Sequence, residues 1–290
     1  MNDAGITEAI NTARAHLGSG RYAQAEFIYR QLVQHFPTVP ELNEELMESL
    51  FLQERFDDSY EAFRAFVALQ PDNADSQFET SYLAAMRTVT SQPWPLQRRA
   101  RFRSLVQLLM QTRAAIGDIA ECGCYLGLSS HLMCSYLRLE NAGFRGAGFH
   151  VFDSFQGLSA PTMEDDVPAD LECADQIEAM CMQGNFAANL PQVRRNLAEF
   201  PDIEFHPGWI PLTFRDLPDR KYRFVHVDVD LYDPTLESFE YFYPHLAPGG
   251  IMVSDDYDWP GARRAIEEFC RERALEFCVT PQNQAYVQRR

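Results

Sequence analysis

The protein has 290 residues, 46% of them hydrophobic, and its 42 acidic and 25 basic residues give a net charge of −17. A chain of this length and composition buries one sizeable core, or one core and a smaller second one, which excludes a disordered protein. The negative charge disfavours nucleic acid or an anionic membrane as the main partner, although ordinary solubility explains it equally well.

The seven cysteines show neither a disulfide framework nor the two-residue spacing of a zinc or redox site. The first ten residues have no basic and apolar leader, and no segment approaches about 18 consecutive apolar residues. We therefore expect a cytoplasmic protein with no membrane partner.

Two segments near the N-terminus, Gly20–Pro37 and Glu54–Pro71, repeat each other with an offset of 34 residues. The alignment pairs Tyr22 with Phe56, Tyr29 with Phe63, Leu32 with Phe66, and Pro37 with Pro71. This period resembles the tetratricopeptide repeat, a pair of antiparallel helices. We predict such an all-α region over residues 1–75. It either captures a partner peptide or part of a substrate in a groove, or serves packing and homo-oligomer formation.

Connecting helices are predicted over residues 76–110, including one within Gln92–Met110. From there to residue 290, short apolar runs alternate with helical stretches, which predicts an α/β fold with a doubly wound, mostly parallel sheet. The expected strands are Asp118–Cys122, Gly148–Phe152, Ile203–His206, Phe224–Asp228 and Gly250–Ser254. A terminal antiparallel pair is expected at Leu275–Val279 and Ala285–Gln288.

A turn with two glycines follows the first strand in the stretch AECGCYLGLSSHL, where Glu121 precedes Gly123 and Gly127. Glycines there let the backbone approach a ligand closely, and the N-terminus of the next helix supplies free N–H groups. Asp153, at the end of the second strand, has the position of an acid that binds ribose hydroxyls in doubly wound folds. The alternatives are an ordinary turn and a helix cap.

Four aspartates follow the fourth and fifth strands: Asp228, Asp230, Asp255 and Asp256. Because alternate residues of a strand share a face, Asp228 and Asp230 are expected to point the same way, together with His226. If the two strands are neighbours, Asp228, Asp255 and Asp256 converge at the carboxyl edge of the sheet. No arginine or lysine lies within several residues of them, so a divalent cation such as Mg²⁺ would offset their repulsion. The alternative is a solvated acidic rim.

Six stretches, in this order and spacing, resemble the macrocin O-methyltransferase family over about Gly117–Phe269: ECGCYLGLSS, VFDSFQGL, IEFHPGWIPLTF, FVHVDVDLYDPT, FYPHLAPGGIMVSDDY and WPGARRAIEEF. The resemblance implies a Rossmann-like class I methyltransferase that uses S-adenosylmethionine and a divalent metal such as Mg²⁺. The predicted helical repeats lie outside it.

The resemblance also implies roles for residues at matching positions. S-adenosylmethionine would be bound by Glu121, Gly123 and Gly127 at its methionine end, by Asp153 and Ser154 at the ribose, by Gly208 and Trp209 at the adenine, and by Ser129. The implied metal ligands are Asp228, Asp255 and Asp256, and Asp230 is the implied general base. His226, in contrast, is expected to be a core residue without a catalytic role.

The implied reaction transfers a methyl group from S-adenosylmethionine to a hydroxyl of a sugar or related small polar acceptor. Pro161–Asn189, acidic and rich in methionine, is long enough to form a lid over such a site. Its shortage of aromatic residues favours a polyhydroxylated acceptor. The alternatives are a catechol-like phenol as the acceptor, and a non-catalytic tetratricopeptide scaffold with a vestigial cofactor domain.

Overall fold

The computed structural model describes residues 3–69, 74–89, 98–168 and 174–290. These residues form two compact units. The first contains the described residues up to Arg87, and the second contains Thr88 and Val89 together with Arg98–Arg290. The predicted boundaries at residues 75 and 110 differ from this division, because the connecting helices belong partly to each unit.

The first unit is helical in its described residues. Its helices are α1 (Asp3–Gly18), α2 (Tyr22–His35), α3 (Pro40–Phe51), α4 (Phe56–Leu69) and α5 (Ala74–Val89), whose last two residues belong to the second unit. Each of the first three helices packs against the next in the chain. The small residues Ala25 and Ser59 are fully buried, and the hydroxyl of Ser59 donates to the backbone oxygen of Met47 at 2.9 Å. The helices are thus found where the repeat alignment places them, and the tetratricopeptide assignment stays a prediction.

The second unit is a mixed α/β fold around a seven-stranded sheet. Its elements are α6 (Arg99–Gln111), β1 (Asp118–Cys122), α7 (Leu128–Glu140), β2 (Phe149–Asp153), α8 (Ala174–Met180), α9 (Leu190–Asn196), β3 (Glu204–Pro207), β4 (Tyr222–Val227), α10 (Tyr232–His245), β5 (Leu246–Ser254), α11 (Pro260–Glu272), β6 (Cys278–Val279) and β7 (Ala285–Gln288). Short 3₁₀ turns cover Met163–Asp165 and Leu212–Phe214. The strand order is β3-β2-β1-β4-β5-β7-β6.

The first five strands are parallel, and β7 and β6 continue the sheet in antiparallel fashion. This confirms the predicted α/β fold, the neighbourhood of the fourth and fifth strands and the terminal antiparallel pair. The chain builds outward from β1 to β3 and then returns to place β4 on the other side of β1. The carboxyl ends of β1 and β4 therefore meet at the switch point where open α/β sheets bind ligands.

Two apolar clusters cover the two faces of the sheet, because alternate strand residues point to opposite sides. One cluster joins Ile119, Phe149, Val151, Phe224 and Val253 to buried residues of α6, α7 and α9. The other joins strand residues such as Phe152 and Val225 to Phe239 and Phe242 of α10 and to Ile266 and Phe269 of α11. The helices thus lie on both faces, as a doubly wound fold requires.

Most strand ends agree with the sequence to within two residues, and β5 begins four residues earlier than expected. The helix predicted within Gln92–Met110 corresponds to α6, and residues 92–97 of the predicted range lie outside the described part. None of the helices within the described ranges has the length and apolarity needed to cross a membrane.

Candidate functional site

The aspartates after β4 and β5 converge at the carboxyl edge of the sheet. Val227 is the register partner of Ser254, so Asp228 and Asp255 continue two neighbouring strands at the same level. Carboxylate oxygens of Asp228, Asp230 and Asp256 all lie within 4.8 Å of one another. The expected convergence is therefore present, although the closest trio contains Asp230 where the sequence placed Asp255.

A turn after β4, and not strand alternation, brings Asp230 into this cluster. The strand ends at Val227, and Asp230 has a left-handed backbone with φ of 61°. That conformation is uncommon for a residue with a side chain, and such strained positions concentrate at functional sites. The backbone N–H of Asp230 donates to Oδ2 of Asp256 at 3.0 Å, which holds the turn against the end of β5.

Asp256 offers an oxygen atom that the described part of the chain leaves unsatisfied. The residue is fully buried, and its Oδ1 has no hydrogen-bond partner among the described residues. A buried, unpaired carboxylate oxygen costs free energy unless a proton or a cation binds it. The alternative of a solvated acidic rim does not fit Asp256, because this carboxylate lies out of reach of bulk water.

Asp255 is balanced by positive and polar groups from distant segments. Oδ2 lies 3.2 Å from Nη2 of Arg98 and 3.5 Å from Nη1 of Arg101, both contributed by the start of α6. Oδ1 accepts a hydrogen bond of 2.6 Å from Nε2 of Gln284. The negative charge at Asp255 is therefore better compensated than predicted, because the arginines come from a segment far from the two strands in sequence.

His226 belongs to a fully buried polar chain beneath the aspartates. Its Nδ1 lies 2.9 Å from Oε1 of Glu121, whose other oxygen accepts a hydrogen bond from the hydroxyl of Ser130. Its Nε2 lies 3.8 Å from Oδ1 of Asp255, and carboxylate and imidazole atoms of His226, Asp228 and Asp255 form a second close group. The expectation of a buried histidine is confirmed. Through Glu121 and Asp255, His226 connects β1 to the cluster of aspartates at the carboxyl edge, which we call the acidic edge.

The pKa values in the site diverge for identifiable reasons. Burial, followed by repulsion from Asp228, raises the pKa of Asp230 to about 8, and burial and neighbouring carboxylates also raise the pKa values of Asp228 and Asp256. Burial has the same tendency at Asp255, but His226 and the two arginines lower its pKa below the usual range. Burial opposes a charged His226, yet Asp255 and Glu121 raise its pKa to about 10.

The glycine turn after β1 is closely packed against the end of β4. Gly123 has φ of 80°, and a Cβ atom at this position would lie 1.8 Å from the backbone oxygen of Asp228. Gly127 has φ of 89° and stands immediately before α7. Both positions therefore require glycine, and the turn opens towards the N-terminus of α7, where N–H groups are available to a ligand.

Asp153 connects this turn to the loop after β2. Its Oδ2 accepts a hydrogen bond from the backbone N–H of Cys124 at 2.8 Å, and its Oδ1 accepts one from Phe155 at 2.6 Å. Burial raises the pKa of Asp153, against the effect of these donors. A carboxylate has about four acceptor positions, so Asp153 keeps capacity for a ligand hydroxyl.

The remaining residues expected at the cofactor differ in how close they lie to Asp153 and in how exposed they are. Gly208 lies beside Asp153, since its N–H donates to the backbone oxygen of Asp153 at 2.9 Å, and Trp209 follows it as a partly exposed side chain. Ser129 is buried in the first turn of α7, and the hydroxyl of Ser154 donates to Gly157 within its own loop. Glu121 is fully buried beneath the turn, so it contacts His226 and Ser130 and has no exposed surface.

Comparison with known proteins agrees with this geometry. The sequence profile of the macrocin O-methyltransferase (TylF) family matches residues 41–286. The chain belongs to this family. The match extends well beyond the region Gly117–Phe269 on which the resemblance was based, and it includes the second of the two predicted helical repeats.

Three curated relatives align with this macrocin O-methyltransferase family member over 53% of its length. They are a tetracenomycin-type rhamnosyl 4′-O-methyltransferase of Streptomyces olivaceus (31% identical, 58% of that protein covered), a mycinamicin III 3″-O-methyltransferase of Micromonospora griseorubida (32%, 60%), and a demethyldecarbamoylnovobiocin O-methyltransferase of Streptomyces niveus (30%, 58%). The matched part thus spans about three fifths of the length of these relatives.

Solved structures show the same fold. The O-methyltransferase NovP is 28% identical, and the similarity covers 65% of this chain and 79% of NovP with a TM-score of 0.53. The calicheamicin methyltransferase CalS11 is 19% identical, covering 76% of this chain and 95% of that one, with a TM-score of 0.54, so this second likeness supports the fold alone.

Several residues of this family member's site were missed by sequence reasoning. Arg98 and Arg101 lie more than 150 positions before Asp255, and the run RRARFR in an acidic protein was the only signal that could have indicated them. Gln284 carried no signal, because one amide near the C-terminus has no pattern. Strands β1, β4, β5 and β7 bring these distant segments together only in the folded sheet.

The segment predicted as a lid is anchored by Asp165, which is buried. Its Oδ1 accepts a hydrogen bond of 2.7 Å from the backbone N–H of Tyr232, at the start of α10. The guanidinium of Arg264 on α11 donates to the backbone oxygens of Glu164 and Asp166 on either side. One end of the segment is thus fixed beside the turn that carries Asp230, while residues 169–173 lie outside the described part.

Proposed function

We propose that the protein transfers a methyl group from S-adenosylmethionine to a hydroxyl oxygen of a sugar or related small polar acceptor, with the help of a divalent cation. The observation that carries the proposal is the group formed by half-buried Asp228 and Asp230 and buried Asp256 at the carboxyl edge of the sheet, next to the glycine turn. Membership of the macrocin O-methyltransferase family supports the same reaction class.

The acidic group fits a hard divalent cation. Its ligand atoms lie within 4.8 Å of one another, and one buried oxygen of Asp256 has no partner among the described residues. Oxygen-only ligands suit Mg²⁺. When bound, such a cation supplies positive charge that favours deprotonation of the acceptor hydroxyl.

We propose Asp228, Asp255 and Asp256 as the residues that hold the cation. Asp228 belongs to both close groups of the site, and Oδ1 of Asp256 has no partner within the described ranges. Asp255 is already bound by Gln284 and by arginine. Its place among the ligands requires a carboxylate oxygen to accept a further contact, and a carboxylate has about four such positions.

S-adenosylmethionine would bind along the carboxyl ends of β1 and β2. The turn Gly123–Gly127 and the N-terminus of α7 accept its methionine end, Asp153 accepts hydrogen bonds from its ribose, and Gly208 and Trp209 border the adenine. Ser129 and Ser154 stand beside these groups. Glu121 acts through His226 and Ser130 in this proposal, because its side chain has no exposed surface.

Asp230 is the proposed general base. The left-handed turn places its carboxylate within 4.8 Å of the oxygens of Asp228 and Asp256, and the hydrogen bond to Asp256 fixes its backbone. The carboxylate removes the proton of the acceptor hydroxyl, and the oxygen then attacks the methyl carbon as the sulfonium bond breaks. Aligning the two reactants in one site supplies much of the rate enhancement in such reactions.

The names of the relatives favour a sugar over a phenol as the acceptor. One is described as acting on a rhamnosyl-tetracenomycin and another on mycinamicin III. The described part of the lid segment Pro161–Asn189 contains acids and methionines and a single aromatic residue, Phe186, which fits a polyhydroxylated molecule. The proposal also keeps a cytoplasmic location, in line with the free thiols of the six described cysteines.

The helical first unit retains two proposed roles, a surface for a protein partner or one for homo-oligomer formation. The packing of consecutive helices α1 to α4 against one another suits either role.

The proposal is tested by isothermal titration of S-adenosylmethionine with and without Mg²⁺, followed by product analysis. Methyl α-L-rhamnoside and catechol serve as simple probes of the two acceptor classes. We expect cofactor binding by the wild type, Mg²⁺ binding that Asp256→Asn abolishes, and methylation of the rhamnoside. Cofactor binding without metal dependence would reject the metal role, and absence of cofactor binding under all conditions would reject the methyltransferase function.

A further inference from the structure

A second cluster of metal-binding side chains lies away from the acidic edge. It consists of His150 on β2 and of Glu204 and His206 on β3, the edge strand. Glu204 is the register partner of His150, and His206 is the partner of Phe152, so the three side chains share one face of the sheet. His150 stands three residues before Asp153, towards the opposite edge from the site described above.

The distances within the cluster suit a tetrahedral ion. Nδ1 of His150 lies 3.2 Å from Nε2 of His206 and 3.6 Å from Oε2 of Glu204. Zinc binds histidine nitrogen and carboxylate oxygen at about 2.0–2.2 Å, and tetrahedral angles then separate two ligand atoms by about 3.3 Å. The observed separations require only small adjustments of the side chains.

Neighbouring groups already orient both imidazole rings. His150 is buried, and its Nε2 lies 3.1 Å from Oδ2 of Asp118, so this carboxylate favours the proton on Nε2 and leaves the Nδ1 lone pair directed at the cluster. A carboxylate on the second ring nitrogen is the usual companion of a metal-binding histidine. The ring of His206 stacks on Phe152 with centroids 4.3 Å apart.

Arg220 is the competing cation at this position. Its guanidinium lies 2.9 Å from Oδ2 of Asp118, 3.3 Å from Nε2 of His150 and 3.5 Å from Oε2 of Glu204. Glu204 has a second oxygen and can contact both the guanidinium and an ion. The nearby positive charge disfavours weakly bound hard ions, which leaves transition ions with affinity for imidazole as the candidates.

We propose that His150, Glu204 and His206 form a site for a transition-metal dication of the Zn²⁺ type, distinct from the acidic cluster and independent of the proposed methyl transfer. Three protein ligands leave the fourth position to water. The ion would connect β2 to the edge strand β3, two residues before Gly208, and thereby stabilise that border of the sheet.

The alternative is a direct hydrogen bond between the two histidines, with Nε2 of His206 as donor and Nδ1 of His150 as acceptor. Titration of the full-length protein with Co²⁺, followed by displacement with Zn²⁺, separates the two cases. The Asp256→Asn background removes the carboxylate cluster as a competing site. We expect one equivalent of Co²⁺ with visible d–d absorption in this background, and a higher thermal midpoint with Zn²⁺.

Matched variants assign the bound ion to the cluster. Glu204→Gln and His206→Gln should each weaken binding by at least about tenfold, and Asp118→Asn by about 10–100-fold as a loss of outer support. His35→Gln removes an exposed histidine of α2 and should leave binding unchanged. Glu204 is partly exposed, so its variant preserves the test even if His206→Gln fails to fold.

Nitrogen-15 spectra of the histidine rings provide an independent readout. We expect Zn²⁺ to shift Nδ1 of His150 and Nε2 of His206 while the Nε2 proton of His150 is retained. The proposal is overturned by absence of Co²⁺ and Zn²⁺ binding in the Asp256→Asn protein. It is also overturned if Glu204→Gln and His206→Gln bind as tightly as the His35→Gln control.

Discussion

A single nitrogen of Arg101 contacts two atoms of Asp255: Nη1 donates to the backbone oxygen of Asp255 at 2.9 Å and lies 3.5 Å from Oδ2. Its Nη2 donates to Asp258 at 2.7 Å, and only 14% of the side chain is exposed. Arg101 thus fastens helix α6 to the residues that follow β5, although the two segments lie about 150 positions apart in the sequence. The acidic edge is a stable arrangement because this arginine neutralises part of its charge.

We therefore expect Arg101→Met to lower the free energy of unfolding by about 2 to 4 kcal/mol, because it leaves a buried carboxylate with fewer partners. Arg113→Met is the control, since Arg113 is 66% exposed and its contact with Glu140 is 3.9 Å long. The control should change stability by less than about 0.5 kcal/mol. Urea unfolding measures both, and equal losses would show that Arg101 does not stabilise the site.

The stability of the metal-free protein should fall as pH rises. The pKa of Asp230 is raised from 3.8 to about 8 in the fold, so the folded state binds the proton more tightly than the unfolded chain. That contribution is complete below about pH 4 and is lost progressively up to about pH 8. The pKa of His226 is raised from 6.5 to about 10. Its contribution to stability is therefore also lost as pH rises, between about pH 6.5 and pH 10.

Thermal unfolding in a chelator, measured from pH 5 to pH 9, checks this prediction. Asp230→Asn removes one titrating group and should flatten the lower part of the profile. Added Mg²⁺ should restore stability most at the alkaline end, where the carboxylates are ionised. A profile that rises with pH in the chelator would contradict the assignment.

The buried strands were predictable because apolar residues predominate in each of these short runs. β1 and β7 match their predicted bounds, and β4 and β5 are neighbours as expected. The edge strand β3 is shifted by one residue, since its four residues are half exposed and give a weak pattern. Short apolar runs thus indicate where a strand lies better than where it ends.

The site was only partly predictable, because its charge balance depends on long-range contacts. The carboxylates themselves were found from their places after two strands. Arg98, Arg101 and Gln284 could not be placed, since their contacts with Asp255 span tens to more than a hundred positions. Glu121 illustrates the opposite error: its place before a glycine turn suggested contact with a ligand, whereas it is bound to His226 beneath the surface.

Asp230→Asn should separate binding from chemistry. Asparagine keeps the shape of the side chain but cannot accept the acceptor's proton, and general-base catalysis contributes typically 10²–10⁴-fold. We expect kcat to fall by about that factor while the affinity for S-adenosylmethionine changes little. Initial rates with an acceptor that the wild type methylates, and titration of the cofactor, measure the two quantities on one preparation.

Asp233→Asn provides the matched control for Asp230→Asn, because Asp233 lies three residues later in the first turn of α10 and outside the close acidic groups. Its kcat should stay near the wild-type value. A similar kcat for both variants would assign the base function to another residue, whereas a loss of cofactor binding in Asp230→Asn would indicate a structural role for the turn.

Gly261 and Asp165 determine whether the lid segment can stay anchored. A Cβ atom at Gly261 would lie 2.0 Å from Oδ1 of Asp165, the atom that accepts the hydrogen bond from Tyr232. Gly261→Ala should therefore displace the carboxylate and cost about 1–3 kcal/mol, although alanine favours helix α11. Gly18→Ala, with open space around it, should be neutral or stabilising.

The double variant Gly261→Ala with Asp165→Ala tests whether the clash is the cause. Removing the carboxylate relieves the overlap, so the two substitutions together should cost less than the sum of the single effects. Acceptor KM should rise in both single variants, because the segment between β2 and α9 loses its attachment to α10. If the two changes in unfolding free energy are strictly additive, the clash with Asp165 is not the cause of the destabilisation by Gly261→Ala. The cause would then lie elsewhere in α11.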